Sequence, residues 1–169
     1  MTDTTSLTRE RTDLIESLDR HRYFLRFTVR GLTDEQALAR PTASSLCLGA
    51  LIKHVAATEA TWVRFIRGGA EAMGGNDPDA WGRDWRVEPG ETLEGLLAAY
   101  DAVARDTDEL VAALPDLDAA HPLPQAPWFA PGAAWSARRV LLHIVAETAQ
   151  HAGHADILRE SIDGQKTMG

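Results

Sequence analysis

The sequence is poor in cysteine, lysine and long apolar runs, and each shortage excludes a class of protein. Cys47 is the only cysteine among 169 residues, so no internal disulfide can form. The only lysines are Lys53 and Lys166, and the net charge is −8. This charge argues against a nucleic-acid partner, because phosphate binding needs a basic patch. No apolar run reaches the roughly 20 residues of a membrane-spanning helix, so no membrane partner is expected.

The rest of the composition is that of a globular protein. Hydrophobic residues make up 44% of the chain and charged residues 25%, which are ordinary values for a domain with its own core. The length fits one such domain, so residues 1–169 are interpreted as a single unit. The first residues are polar and include acids, unlike a signal peptide. A cytoplasmic location is therefore the default expectation.

Apolar residues recur at helical spacing in four segments. The predicted helices cover approximately residues 6–30, 48–67, 92–114 and 137–162. Thr92 and Ser136 are suited to cap the starts of the third and fourth helices, and Gly164 is suited to end the fourth. Pro115 ends the third helix, because proline cannot continue it. No strand pattern persists, so the predicted fold is an all-α four-helix bundle.

Two connections between the predicted helices are long. The first, residues 68–91, is rich in Gly, Pro and Asp and contains Trp81 and Trp85. A loop of this length is uncommon unless it crosses over or builds a site, so a long crossover is expected between helices two and three. The second connection, residues 116–135, has four prolines and adds Trp128, Phe129 and Trp135. These rings could form an apolar lip over a site or only pack against the helix end.

Polar residues with metal-binding side chains share one face of the fourth helix. At about 100° per residue, all of them fall within about 80° of arc; they are His143, Glu147, His151 and His154. The second helix carries His54 on its own apolar stripe. A Glu-x-x-x-His pair with a histidine from another helix supplies three ligands to a divalent ion and leaves one position open, as in catalytic sites. The alternative is a set of hydrogen-bonded core histidines beside an ordinary i,i+4 pair, and spacing alone does not separate the two.

Two stretches carry a family resemblance. LGALIKHVAATEATWVRF and VLLHIVAETAQHAGHADILRESIDG resemble the two signature helices of the DinB-like superfamily. They are most similar to its actinobacterial branch, which is related to mycothiol-dependent S-transferases and mycothiol-dependent maleylpyruvate isomerase. The resemblance extends over most of the chain, including both long connections. It implies a DinB/YfiT-like metalloenzyme fold, in which a four-helix bundle holds a divalent metal, usually zinc.

The resemblance also assigns roles to particular residues. It implies His54, Glu147 and His151 as the metal ligands, with Glu147 standing where many relatives have histidine, a variant that the mycothiol branch shares. His154, one turn further, is implied beside the ligands or in the pocket wall. His143 is not expected to be a ligand.

An open metal position with two imidazoles and one carboxylate can lower the pKa of a bound thiol or water. Cys47 is interpreted as a packing residue, so the thiol would come from outside. The resemblance implies mycothiol as this cosubstrate, transferred to an electrophile. Other interpretations stay open: a thiol-dependent isomerase, a hydrolase that uses metal-activated water, or a non-catalytic metal- or ligand-binding stress protein.

The predicted pocket lining is Trp128, Trp135 and Arg138. Arg138 lies in the first turn of the fourth helix, where the helix dipole disfavours positive charge. It could meet a carboxylate on a ligand, or it could be a solvated surface residue. The resemblance also makes a homodimer an assembly to test.

Overall fold

The structure is a computed structural model that describes residues 7–74 and 82–167. The helices are α1 (Arg9–Phe27), α2 (Asp34–Leu38), α3 (Leu48–Gly68), α4 (Leu93–Ala113) and α5 (Ala137–Asp163), with a 3₁₀ turn at Ala70–Met73 and two short strands, β1 (Ala120–Pro122) and β2 (Ala134–Ser136). The long helices α1, α3, α4 and α5 pack against one another, with α1 on α5 and α3 on both α4 and α5. The predicted all-α four-helix bundle, with its long crossover between α3 and α4, is confirmed.

Capping residues set the ends of α4 and α5. Thr92 Oγ1 accepts a hydrogen bond from Gly95 N at 3.1 Å at the start of α4. Ser136 Oγ accepts one from Arg139 N at 3.2 Å at the start of α5. Gly164 follows α5 with φ 79°, a left-handed conformation that glycine adopts without strain. These three predicted caps are confirmed.

The first helix is shorter than the sequence predicts. Thr8 caps its start, so α1 begins at Arg9; the predicted start near Ser6 lies outside the described residues. Its last residue is Phe27, and Thr28 Oγ1 then donates a hydrogen bond to Leu25 O at 2.7 Å. A local side-chain bond of this kind competes with continuation of the helix.

A small antiparallel ladder corrects the expectation that the chain has no strands. Residue Ala120 pairs with Ser136, and Pro122 pairs with Ala134. Three residues per strand are too few for an alternating pattern to appear in the sequence. The ladder joins the two ends of the proline-rich loop directly before α5, and it thereby fixes where residues 123–133 lie.

The core consists of two apolar clusters separated by a polar layer. One cluster includes Leu51, Val55, Tyr100 and Ala155, and the other includes Leu18, Phe65, Val111 and Ile144. Between them along the chain, each long helix places a buried polar residue at a similar level; these are Arg22, Glu59, Thr107 and Thr148, and α5 adds the buried His151 three residues further on. The four helices therefore share a common level at which the apolar core is interrupted.

A buried ion pair dominates this polar layer. Arg22 Nη2 lies 2.5 Å from Glu59 Oε1, and both residues are 1% exposed. Thr107 Oγ1 donates to the same carboxylate at 2.6 Å. The other guanidinium nitrogen, Nη1, donates to Asp19 and Asp108 at 2.9 Å each. Buried charges are tolerated only when they are paired and hydrogen-bonded, and here α1, α3 and α4 are joined to satisfy that condition.

None of the helices that the structure describes is both long and apolar enough to cross a lipid bilayer.

The ion pair gives a test of stability. Replacing Glu59→Gln leaves the buried Arg22 charge without its main partner, so the free energy of unfolding should fall by about 3 kcal/mol. Urea denaturation followed by circular dichroism measures this change. Asp106→Asn is the matched control, because Asp106 and Arg67 form an exposed pair and the loss should be below about 1 kcal/mol. Equal effects of the two substitutions would contradict a special role for the buried pair.

Candidate metal centre

Three side chains from two helices converge at one point. His54 lies on α3, and Glu147 and His151 lie on α5. Each offers one ligand atom, and these atoms all lie within 4.8 Å of one another. The i,i+4 spacing places the two α5 residues on one face, with Glu147 Oε2 3.7 Å from His151 Nε2. Both histidines are buried and Glu147 is half-buried, so a ligand could reach the group from one side.

Ring contacts fix the position of His54. The indole of Trp85 stacks on it, with centroids 3.6 Å apart and an interplanar angle of 18°. The ring of His151 meets it edge-on, with centroids 4.9 Å apart. Thr58 Oγ1 lies 3.5 Å from His54 Nε2, whereas His54 Nδ1 is buried with no hydrogen-bond partner among the described residues. A buried polar atom without a partner is costly, and the N,N,O donor set beside it fits a divalent ion such as zinc.

Burial keeps the two histidines neutral. It lowers the pKa of His54 to about 4, with a further contribution from the nearby His151. Burial also lowers the pKa of His151, although the charge of Glu147 acts in the opposite direction. Neutral imidazole is the form that binds a metal ion, so the two nitrogens are in their ligating state at neutral pH.

Two further histidines flank the group on α5. His154 Nδ1 lies 3.4 Å from His151 Nδ1, so one ring can donate its N–H to the other. A proton on His151 Nδ1 leaves its Nε2, which faces Glu147, as a lone-pair donor. On the other side, His143 Nε2 lies 3.8 Å from Glu147 Oε1, and its ring meets Trp62 and Trp135 edge-on at 5.0 Å each.

A cavity of about 750 Å³ opens onto the three converging side chains. Besides them, its wall includes Thr58, Thr61, Trp62, Met73, Asp84, Trp85, Gln125, Trp128, Phe129 and His143. A larger cavity of about 840 Å³ lies at the end of α1 and the start of α4, but its described lining contains no histidine or cysteine. The chemistry of metal binding therefore belongs to the first cavity.

The predicted pocket residues take different places. Trp128 lines the cavity. The Trp135 ring is not part of the described lining but stacks on Trp62, with centroids 5.0 Å apart, so it supports the wall from behind. Arg138, expected in the lining, pairs with Glu10 and Asp118 instead. Its positive charge near the start of α5 is thus compensated by the chain's own carboxylates.

Trp85, Asp84 and Trp62 are wall residues that the sequence did not single out as site residues. Trp62 follows His54 by eight residues on the same helix, and that spacing is a signal that could have identified it. Trp85 and Asp84 lie in the long crossover, where no periodicity relates a residue to the bundle. The other tryptophan of that loop, Trp81, lies outside the described residues.

The fold and the site together define a DinB-like four-helix bundle with a histidine–glutamate–histidine cluster. A family model described as mycothiol S-transferase matches residues 13–164, and the chain belongs to that family.

Comparison with solved structures supports the fold. The crystal structure of a conserved protein from Enterococcus faecalis aligns with a TM-score of 0.67 over 94% of this chain and 100% of that one, at 15% sequence identity. At this identity the likeness concerns the fold alone. The comparison with curated proteins gives no match.

The lowered pKa of His54 makes stability depend on pH. Its pKa is about 4 in the folded protein against 6.5 ordinarily, so between these values the unfolded chain binds more protons. In metal-free protein, neutral His54 makes its full contribution to the free energy of unfolding above about pH 6.5. This contribution is lost as the pH falls towards 4, and the loss is at most about 3 kcal/mol. Urea unfolding at several pH values should show that the free energy of unfolding falls less steeply with decreasing pH in His54→Gln than in the parent protein. His21→Gln is the control and should show the same pH dependence as the parent protein. If His54→Gln showed that same pH dependence too, the lowered pKa would be wrongly assigned to His54.

Proposed function

We propose that the protein is a metal- and mycothiol-dependent S-transferase. In this proposal His54, Glu147 and His151 hold one divalent ion, most simply Zn²⁺, and mycothiol binds beside them as a thiolate that attacks an electrophile. The observation that carries the proposal is the convergence of three ligand atoms within 4.8 Å at the wall of a cavity. Membership of the mycothiol S-transferase family supports the choice of thiol.

The chain's own residues would position the ion and keep it accessible. The ion, when bound, supplies the positive charge that favours thiolate over thiol. Two neutral imidazoles and one carboxylate compensate only half of the charge of a divalent ion, so the site would keep a net charge of about +1. His154 orients His151 through the contact between their Nδ1 atoms. His143 faces Glu147 Oε1, whereas His151 faces Glu147 Oε2. Such supporting contacts commonly hold ligands in place.

The nucleophilic thiol must come from outside the chain. Cys47 is buried, 5% exposed, and stands at the residue before α3. It is about two helical turns from His54 and is not part of the described cavity lining. Its surroundings are those of a packing residue, because reactive cysteines need a partly exposed, electropositive site.

Metal analysis tests the ligand set. Purified protein should carry about one divalent ion per chain, measured by plasma mass spectrometry. His54→Ala, Glu147→Ala and His151→Ala should each weaken metal binding by about a hundredfold or more, because a first ligand matters at least as much as its supporting contacts. His21→Ala, on α1 and outside the cavity, is the matched control and should retain the ion. Full occupancy in Glu147→Ala would overturn the role given to the carboxylate.

Thiol consumption tests the reaction. The metal-loaded protein should conjugate an electrophile with mycothiol and lose that activity on chelation, with recovery when Zn²⁺ is restored. Mycothiol should be strongly preferred over glutathione, whose two carboxylates would meet the acidic residues of the cavity. Thiol recovered unchanged while the substrate isomerises would favour an isomerase instead. Hydrolysis without thiol would favour metal-activated water, and bound metal without turnover over a broad electrophile panel would favour a binding protein.

A further inference from the structure

The outward face of α5 carries an apolar stripe. Among the residues that the structure describes, six large apolar side chains are exposed, and α5 is the only element that has two of them. Leu142 is 50% exposed and Ile157 is 61% exposed. Between them lie exposed Ala146 and Gly153, and at about 100° per residue all four fall within about 60° of arc. These four residues form the outer stripe of α5, and contiguous exposed apolar surface of this kind marks an interaction site.

A charged residue stands beyond each end of the outer stripe, and the two charges are opposite. Arg139 precedes the stripe by three positions and Glu160 follows it by three, so both lie on the same arc. The Arg139 guanidinium lies 4.2 Å from the centroid of the Trp135 ring, and no carboxylate bonds to it in the part of the chain that the structure describes. Glu160 Oε1 bonds Lys166 at 2.9 Å, in a pair whose side chains are about half exposed and which is therefore weak. Both charges can take an additional partner.

The stripe and its two charges are symmetric about a point between Ala149 and Gln150. A second α5 that ran antiparallel across this point would place large beside large, small beside small and positive beside negative. The facing pairs would be Leu142 with Ile157, Ala146 with Gly153, and Arg139 with Glu160. A patch that complements itself in this way is what a two-fold symmetric contact between identical chains requires.

We propose that the outer stripe of α5 binds a second copy of this chain, with the two α5 helices antiparallel and a two-fold axis between Ala149 and Gln150. The small residues in the middle allow the helix axes to approach to about 8 Å, the short end of the usual range. Glu147 and His151 lie at least about 110° around the helix from the middle of the stripe, so both metal centres stay accessible. A contact through one helix per chain is smaller than a standard interface, so the dimer dissociates in the micromolar range.

Charge reversal tests the register of the two helices. Sedimentation equilibrium should show a reversible dimer of the parent protein at micromolar concentrations. Arg139→Glu and Glu160→Arg should each weaken it by about tenfold, because each substitution places like charges opposite one another at both ends of the contact. The double variant pairs opposite charges again and should return to within about threefold of the parent. A double variant as weak as the single ones, or a parent protein that stays monomeric, would overturn the proposal.

A substitution within the stripe tests its apolar contact. Ile157→Glu should weaken the dimer by at least about tenfold, because it buries a charge against Leu142 of the other copy. Leu38→Glu is the matched control, since Leu38 is 46% exposed but lies on α2. It should leave the dimer unchanged, and circular dichroism should show the same helix content in both variants. Undiminished association of Ile157→Glu would contradict the proposed surface.

Cross-linking tests which residues face each other. Ala146→Cys and Gly153→Cys are mixed and oxidised with copper phenanthroline, and a Cβ at Gly153 meets nothing within 4 Å. The mixture should give a covalent dimer on a non-reducing gel. Either variant alone should give little, because two copies of the same residue lie about 10 Å apart along antiparallel helices, beyond the reach of a disulfide. The native thiol, Cys47, is buried. No cross-link in the mixture, or equal cross-linking of each variant alone, would overturn the register.

Discussion

The ion pair between Arg22 and Glu59 constrains the whole bundle, because it fixes the rotation of α3. Burying either charge alone is prohibitive, so Glu59 must face α1 and α4, where Arg22 and Thr107 bind it. Glu59 follows His54 by five positions on α3, and this spacing turns the two side chains about 140° apart around the helix. The rotation of α3 that places Glu59 against Arg22 and Thr107 therefore also points His54 towards α5. The cluster of His54, Glu147 and His151 therefore depends on a contact that shares no atom with it.

The bundle buries polar groups in two places, the layer around Arg22 and Glu59 and the histidine cluster, and these groups are satisfied in different ways. In the layer of Arg22, Glu59 and Thr107, carboxylate and guanidinium are satisfied by partners within the chain. At the histidine cluster, desolvation keeps the imidazoles neutral, and His54 Nδ1 has no described partner. An internally satisfied layer stabilises the fold, whereas an incompletely satisfied one is suited to bind something from outside.

The sequence predicted what local periodicity and capping determine. Thr92, Ser136 and Gly164 act at helix ends through contacts a few residues away, and Glu147 and His151 share a face because of helical spacing alone. The apolar stripe of the second helix offered His54 as a candidate, and the resemblance assigned it as a ligand, because no local rule connects it to α5. The stacking of Trp85 on His54, the β1–β2 ladder and the pairing of Arg138 with Glu10 depend on residues far apart in the chain. The Arg22–Glu59 pair had a visible signal, a charge at a core-facing position of each helix, but only the structure identifies the partner.

The β1–β2 ladder separates two parts of the site that can change independently. Its three residue pairs hold the ends of residues 123–133 together, so the loop with Trp128 begins and ends at a fixed place beside α5. His54, Glu147 and His151 lie on α3 and α5, outside that loop. Surface loops on a rigid scaffold tolerate substitution and changes of length. Evolution can therefore alter the shape of the entrance, and with it the range of molecules admitted, while the geometry of the three converging side chains stays unchanged.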